Sequence, residues 1–207
     1  MVLNQYRDTA DKILVPIAKR MSNINPDLIS WLAFIFAVLS GVSYFFSTTF
    51  LVFLGGIFLI FNSLFDALDG KIAKLTDKAS LRGDFLDHTI DRYADIFIIG
   101  GIVLGPLCRL WIGFFAVLGV LMTSYMGTQA HAVGVSRNYG GIAGRADRLA
   151  LLILTTIVFV ILSYFGITYF SIAGFELKTF EILMIWFAVT GHMTAIQRGI
   201  QTWRELD

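Results

Sequence analysis

Two short stretches of this chain carry four aspartates at helical spacing: Asp66-Ala-Leu-Asp69-Gly70-Lys-Ile-Ala73-Lys74 and, eight residues further on, Gly83-Asp-Phe-Leu-Asp87-His-Thr-Ile-Asp91. Residues three or four apart share one helix face, here separated along the axis by roughly 4.5 and 6 Å. Both stretches run into apolar sequence, such as Ile96-Phe-Ile-Ile-Gly100. An aspartate at the centre of a spanning helix costs about 2.5–3.5 kcal/mol, so four together demand a compensating partner. A divalent cation is the simplest one, and carboxylate oxygens suit Mg²⁺ or Mn²⁺. If both pairs converge, Asp66, Asp69, Asp87 and Asp91 suffice for two metals about 3.5–4 Å apart, bridged by a shared carboxylate.

The elements that must position these aspartates are membrane helices. The chain has 207 residues, 57% hydrophobic and 15% charged, with a mean hydropathy of +0.74. A soluble domain is nearer 45–50% apolar and about 25% charged. The composition reads as an all-α integral membrane protein in one unit, residues 1–207. A net charge of +1 gives no reason to expect nucleic acid. The single Cys108 excludes an intramolecular disulfide. Charged residues at 7, 8, 11, 12, 19 and 20 break any signal-peptide core within residues 1–21.

Six stretches are long enough to span a bilayer, near 27–47, 49–74, 84–107, 110–135, 145–168 and 178–203. The second, third and sixth are apolar at one end and charged at the other. Asn25-Pro26-Asp27 marks a helix start, and Ser47-Thr48-Thr49 is too short for anything but antiparallel neighbours. Before them, residues 1–21 form a juxtamembrane segment with Leu3, Tyr6, Ala10, Leu14 and Ile17 on one face, predicting an interfacial amphipathic helix. Fourteen of the sixteen Lys and Arg residues fall in the N-terminal segment, region 71–92, loop 136–148 and the C-terminal end. Only Arg109 and Lys178 fall on the opposite side. That asymmetry predicts both termini and the aspartates on the cytoplasmic side. The second and third spans turn near Asp77–Ser80, with Asp66 and Asp91 about equally far from the turn, so the two pairs should meet at one depth. Gly70 costs about 1 kcal/mol relative to Ala in a helix. Beside Asp69 its place is best explained by close approach of a ligand, with Ala73 keeping the surface low one turn later.

At this point the residues resemble a family. The pattern of Asp66, Asp69, Gly70, Ala73, Gly83, Asp87 and Asp91, with eight residues between Lys74 and Gly83, is similar to the signature of the CDP-alcohol phosphotransferases. Lys74 stands where that family usually has Arg, keeping the charge but losing bidentate geometry. The resemblance implies six spans after an interfacial helix and two divalent ions on Asp66, Asp69, Asp87 and Asp91. It implies a CDP-lipid donor, held by Asp69, Gly70, Ala73, Lys74 and Gly83, and Asp91 as the base that takes the acceptor's proton. It also implies a homodimer in a prokaryotic cell membrane. The small-residue faces Gly100-Gly101, Gly105 and Gly119, with Phe114, Phe115 and Met122, point the same way.

The acceptor is read from the remaining arginines. Gly144-Arg145-Ala-Asp147-Arg148-Leu149 and Gln197-Arg198 resemble the phosphatidylinositol-phosphate synthase branch, which implies that Arg148 and Arg198 grip an acceptor phosphate. A Lys expected near Gly127 in that branch is missing, a departure that counts against inositol phosphate and leaves glycerol phosphate open. The arginines imply a phosphorylated polyol as acceptor, inositol phosphate ahead of glycerol phosphate. Alternatively, Arg148 pairs with Asp147 or a lipid phosphate, and Arg198 with an aspartate of the cluster. His88 is expected to be a spectator, turned about 100° from its neighbour Asp87, and His192 to make an interhelical hydrogen bond. Gln129 and His131, at the cytoplasmic end of the fourth span, lie within an acceptor's reach. A cation or proton transporter is the competing class, since intramembrane carboxylates also mark ion pathways. Its acids would be spread through the membrane, whereas seven of fifteen here fall within 66–95.

Overall fold

The computed structural model describes residues 7–136, 141–142, 144–172 and 174–206. Leu3, Tyr6 and Arg137, used above, lie outside them. Among the described residues the chain forms seven helices and one short hairpin: α1 (Arg7–Arg20), α2 (Pro26–Phe46), α3 (Thr49–Leu75), α4 (Leu81–Leu104), α5 (Leu110–Ala132), α6 (Arg145–Tyr164), β1 (Phe170–Ile172), β2 (Phe175–Leu177) and α7 (Thr179–Leu206).

Local chemistry sets the boundaries. Asn25 caps α2 by accepting from the Asp27 N–H at 3.1 Å, with Pro26 in the first turn. Ser47 closes α2 at φ +59°, and Thr48 caps α3 by accepting from the Leu51 N–H. That two-residue link makes α2 and α3 antiparallel. Ser80 caps α4 through the Gly83 N–H at 3.1 Å; α3 and α4, joined through Asp77–Ser80, each pack on α2 rather than along each other. At α6 the Asp147 carboxylate accepts from the Gly144 N–H at 2.9 Å.

Five helices, α2, α3, α5, α6 and α7, are long and apolar enough to cross a membrane. Helix α4 falls outside that set, because its apolar end is preceded by Asp87, Asp91, Arg92 and Asp95. Those charges are the candidate site itself. Before α7, Phe170–Ile172 pairs antiparallel with Phe175–Leu177.

Lipid tails are as apolar as leucine, so helices associate through close packing and buried hydrogen bonds. Glycines supply the closest approaches: a Cβ on Gly101 would collide with the Gly41 carbonyl oxygen, and one on Gly191 would lie 2.5 Å from the Gly119 carbonyl carbon. The first contact locks α4 to α2, and the second locks α7 to α5. Gly105 likewise abuts the Phe45 carbonyl oxygen. Gly101, Gly105 and Gly119, read above as part of a face for association between chains, thus make close approaches inside this chain, whereas a Cβ on Gly100 would meet nothing within 4 Å. Phe114, Phe115 and Met122 remain exposed.

The main core gathers Tyr44, Leu59, Ile98, Ile102, Phe180 and Phe187, all buried. Tyr44 shares a 2.8 Å hydrogen bond with Thr156, tying α2 to α6. A second cluster lies under α1, where Leu14, Ile17, Ala18 and Met21 pack on Ile29, Leu68 and Ile72, while Lys71 pairs with Asp11. Part of α1's apolar face thus covers the helices rather than lipid.

The end remote from the aspartates is held by Glu181, whose side chain is 1% exposed. Its Oε1 accepts from Arg109 Nε at 2.8 Å and from the Arg109 backbone N–H at 2.9 Å. Its Oε2 accepts from Arg109 Nη2 at 2.9 Å and from the Lys178 N–H at 3.0 Å. Glu181→Ala strands these donors and is expected to destabilise the protein by about 1–3 kcal/mol, since Arg109 is half-exposed and rehydrates in part. The check is a fall of several degrees in apparent Tm in detergent; an unchanged Tm would contradict the role.

Candidate active site

The four aspartates meet where α3 ends and α4 begins, joined by residues from two other helices. Asp69 is buried in α3 and accepts a 2.6 Å hydrogen bond from Ser30 Oγ, one turn into α2. The carboxylates of Asp69, Asp87 and Asp91 each lie within electrostatic reach of Asp66. Asp87, His88 and Asp91 place one ligand atom each within 4.8 Å of one another. The histidine is therefore inside the cluster, contrary to the reading of it as a spectator. Its Nε2 lies 3.2 Å from Asp84 and its Nδ1 3.8 Å from Asp87.

Arg145, the first residue of α6, closes the cluster from the far side. Its Nη1 is 2.6 Å from Asp66 Oδ2 and 2.7 Å from Asp91 Oδ1, and its Nε is 3.5 Å from Asp95 Oδ1. Arg148 Nη2 donates to Asp95 Oδ2 at 3.0 Å. Asp147 caps α6, so the alternative pairing of Arg148 with Asp147 gives way to Asp95. Arg198, on α7, donates to the Thr123 carbonyl of α5 and stands within electrostatic reach of Arg148 and Arg92. Ser30, Asp95 and Arg145 thus belong to the site. Asp95 was legible as the residue one turn beyond Asp91 on the same face. Arg145 stood in the segment quoted above for its resemblance, without a role assigned to it, and Ser30 carries no local signal, because a distant segment brings it in.

A cavity of about 270 Å³ opens beside the cluster. Asp69, Gly70, Ala73, Lys74 and Gly83 all line it, together with Asp87 and Ser30. A Cβ on Gly70 would meet nothing within 4 Å, so that glycine faces open space rather than a neighbouring helix. Gly83 lies in the first turn of α4 rather than in a loop, and its N–H is held by Ser80. None of the described arginines lines this cavity.

The residues fit divalent cations. Hard oxygen donors from two helices converge with one imidazole, and the positive charge meeting them is a guanidinium whose Nε and Nη2 are buried without hydrogen-bond partners among the described residues. Asp91 Oδ1, although charge-paired, also lacks a well-directed hydrogen bond there. The Nε2 of His192 is buried without a partner among the described residues. His131 is exposed at the end of α5.

The chain matches the CDP-alcohol phosphatidyltransferase family over residues 23–194. It is 30% identical over 206 residues to the archaetidylinositol phosphate synthase of Methanothermobacter thermautotrophicus, covering 99% of this chain and 96% of the relative. It is 32% identical over 158 residues to the archaetidylinositol phosphate synthase of Pyrococcus horikoshii, covering 75% and 82%. Among solved structures, the phosphatidylinositol phosphate synthase of Mycobacterium tuberculosis with CDP-DAG bound superposes with a TM-score of 0.72 at 23% identity, covering 93% of this chain and 94% of that one. The same enzyme in complex with manganese and citrate gives 0.71 at 23% identity, covering 92% and 88%.

Proposed function

The chain belongs to the CDP-alcohol phosphatidyltransferase family and is a membrane transferase, and from that premise we propose what it transfers, to what, and with which residues. It moves a phosphatidyl-type group from a CDP-lipid to the hydroxyl of a phosphorylated polyol, inositol phosphate ahead of glycerol phosphate, releasing CMP. The observation that carries this is the pairing of two unlike sites. A cavity with small residues and Lys74 adjoins Asp69 and Asp87, and a separate group of arginines stands beyond Asp66 and Asp91. The first suits a nucleotide diphosphate, and the second suits a dianion. The relatives named above are inositol phosphate synthases, and the Mycobacterium tuberculosis enzyme has been seen with CDP-DAG and with manganese; both support the reading.

In this proposal Asp66, Asp69, Asp87 and Asp91 hold two divalent ions, Mg²⁺ or Mn²⁺. When bound, these neutralise the diphosphate and the charge on departing CMP, the main requirement of phosphoryl-type displacement. Gly70 and Ala73 leave room for the nucleotide, Lys74 contacts its diphosphate, and Ser30 fixes the orientation of Asp69. Asp91 takes the proton of the attacking hydroxyl. Arg148 and Arg198 orient the acceptor through charge-assisted hydrogen bonds. Residues 1–207 act as one membrane unit. Helix α4, with 24 residues or about 36 Å, supplies the sixth span. Both termini and the site then face the cytoplasm of a prokaryotic cell, as the Lys and Arg asymmetry requires. Helix α1 lies at the interface, its covered face on α3 and Ile13 exposed. A homodimer is proposed from the family resemblance, with a complete site in each protomer and the Phe114–Phe115 face as its contact.

The test is CMP release from CDP-lipid by protein purified in mild detergent, with inositol phosphate, glycerol phosphate, free inositol and serine as acceptors. Turnover is expected with the phosphorylated polyols and none with free inositol or serine. Better turnover with an unphosphorylated acceptor would overturn the acceptor assignment and leave the CDP-alcohol chemistry standing. On the same reading Arg198→Gln should raise the acceptor KM by roughly 10–100-fold, the scale of a hydrogen bond to a charged group. The KM for CDP-lipid should change much less; equal shifts in both would mean that Arg198 only supports the fold.

A further inference from the structure

The contact made by Arg145 is unusual for a metal cluster, because one guanidinium nitrogen sits between two carboxylates that come from different helices. We propose that Arg145 is the resident counter-cation of the site, surrendering Asp66 and Asp91 to an entering divalent ion and turning onto Asp95. The inference rests on the metal reading above.

Three observations carry it. Nη1 lies 2.6 Å from Asp66 Oδ2 and 2.7 Å from Asp91 Oδ1, so it occupies the oxygens that a hard cation would use. Mg²⁺ requires those oxygens at about 2.0–2.1 Å in near-octahedral array, which the guanidinium obstructs in its present position. Second, only Nη1 of the guanidinium is closely engaged: Nε and Nη2 are buried with no hydrogen-bond partner among the described residues. Third, a place for it to go is built beside it. Asp95 Oδ1 stands 3.5 Å from Nε, at the outer edge of hydrogen-bond distance, and Asp95 is buried. Asp95 Oδ2 is already taken by Arg148 at 3.0 Å, leaving Oδ1 for the displaced side chain. Two groups outside the aspartate signature, Arg145 and Asp95, thereby set the affinity of the groups inside it.

The experiment is Mn²⁺ titration of the full-length protein in detergent, with free Mn²⁺ read by its electron paramagnetic resonance signal. Arg145→Gln removes the competitor and is expected to tighten Mn²⁺ binding by about tenfold or more, the scale on which one neighbouring charge shifts an ionic equilibrium. Asp95→Asn removes the alternative berth and should weaken binding while Arg145 is present, but should have little effect in the Arg145→Gln background. Unchanged or weaker binding by Arg145→Gln overturns the proposal, as does an equal effect of Asp95→Asn in both backgrounds. If Arg145→Gln does not yield monodisperse protein, Asp95→Asn decides alone, and unchanged or tighter binding overturns it. Wild-type protein that binds no Mn²⁺ would instead defeat the metal reading.

Discussion

Excess chelator is expected to abolish CMP release, and added Mg²⁺ or Mn²⁺ to restore it. The reason lies in the charge balance at the junction of α3 and α4. Asp66 and Asp87 each lie within electrostatic reach of the other three carboxylates, and Arg145 compensates only Asp66 and Asp91 directly. A diphosphate carries its own negative charge, so without cations it would be repelled from a cavity lined by Asp69, Asp84 and Asp87. Lys74 and Lys78 on the same wall cannot offset that with their exposed, flexible side chains. Asp66→Asn and Asp69→Asn should each lower turnover by about 10²–10³-fold, the usual cost of removing one preorganised electrostatic contact. Both variants should remain folded. An amide oxygen at position 69 can still accept from Ser30, and Asp66→Asn leaves Arg145 paired with Asp91 and Asp95. Full activity in excess chelator would end the two-metal reading, and gel filtration of each variant separates lost chemistry from lost fold.

The aspartate cluster was legible in the sequence because it depends on local geometry alone. Spacings of three and four residues fix a helix face, and a turn about equally far from both pairs fixes the depth. The cavity was legible for the same reason: Gly70 and Ala73 follow Asp69 on one helix, and Gly83 begins the next. What the sequence did not disclose comes from elements far away along the chain. Ser30 reaches Asp69 across 39 positions and Arg148 reaches Asp95 across 53. No periodicity encodes such pairings; they follow from how α2 and α6 pack. The glycines show the same limit from the other side. Gly101 and Gly119 announced close approach, but the sequence could not say that the neighbours were Gly41 and α7 of the same chain. In α4 function and membrane crossing share one helix, so the site's polar groups dilute the apolar signal of a span.

Asp91→Asn is expected to lower kcat by about 10²–10⁴-fold, the contribution of a positioned general base. Asp91, like Asp66 and unlike Asp69 and Asp87, does not line the nucleotide cavity. Its side chain is 13% exposed, and it faces Arg145 at 2.7 Å and Arg92 at 3.4 Å. It therefore stands between the donor's cavity and the arginines proposed to hold the acceptor's phosphate, where a hydroxyl must lose its proton to attack. Asparagine matches the shape of aspartate but cannot take a proton, so acceptor binding should survive while the chemical step fails. Because Asp91 is also placed as a metal ligand, the variant must be assayed with Mn²⁺ raised until the rate no longer responds. A kcat that stays low at that plateau, with the acceptor KM little changed, assigns the proton to Asp91. Recovery to the wild-type rate would show that its carboxylate serves only to hold the ion, and the base would have to be sought elsewhere, with His88, within 4.8 Å of Asp91, as one candidate.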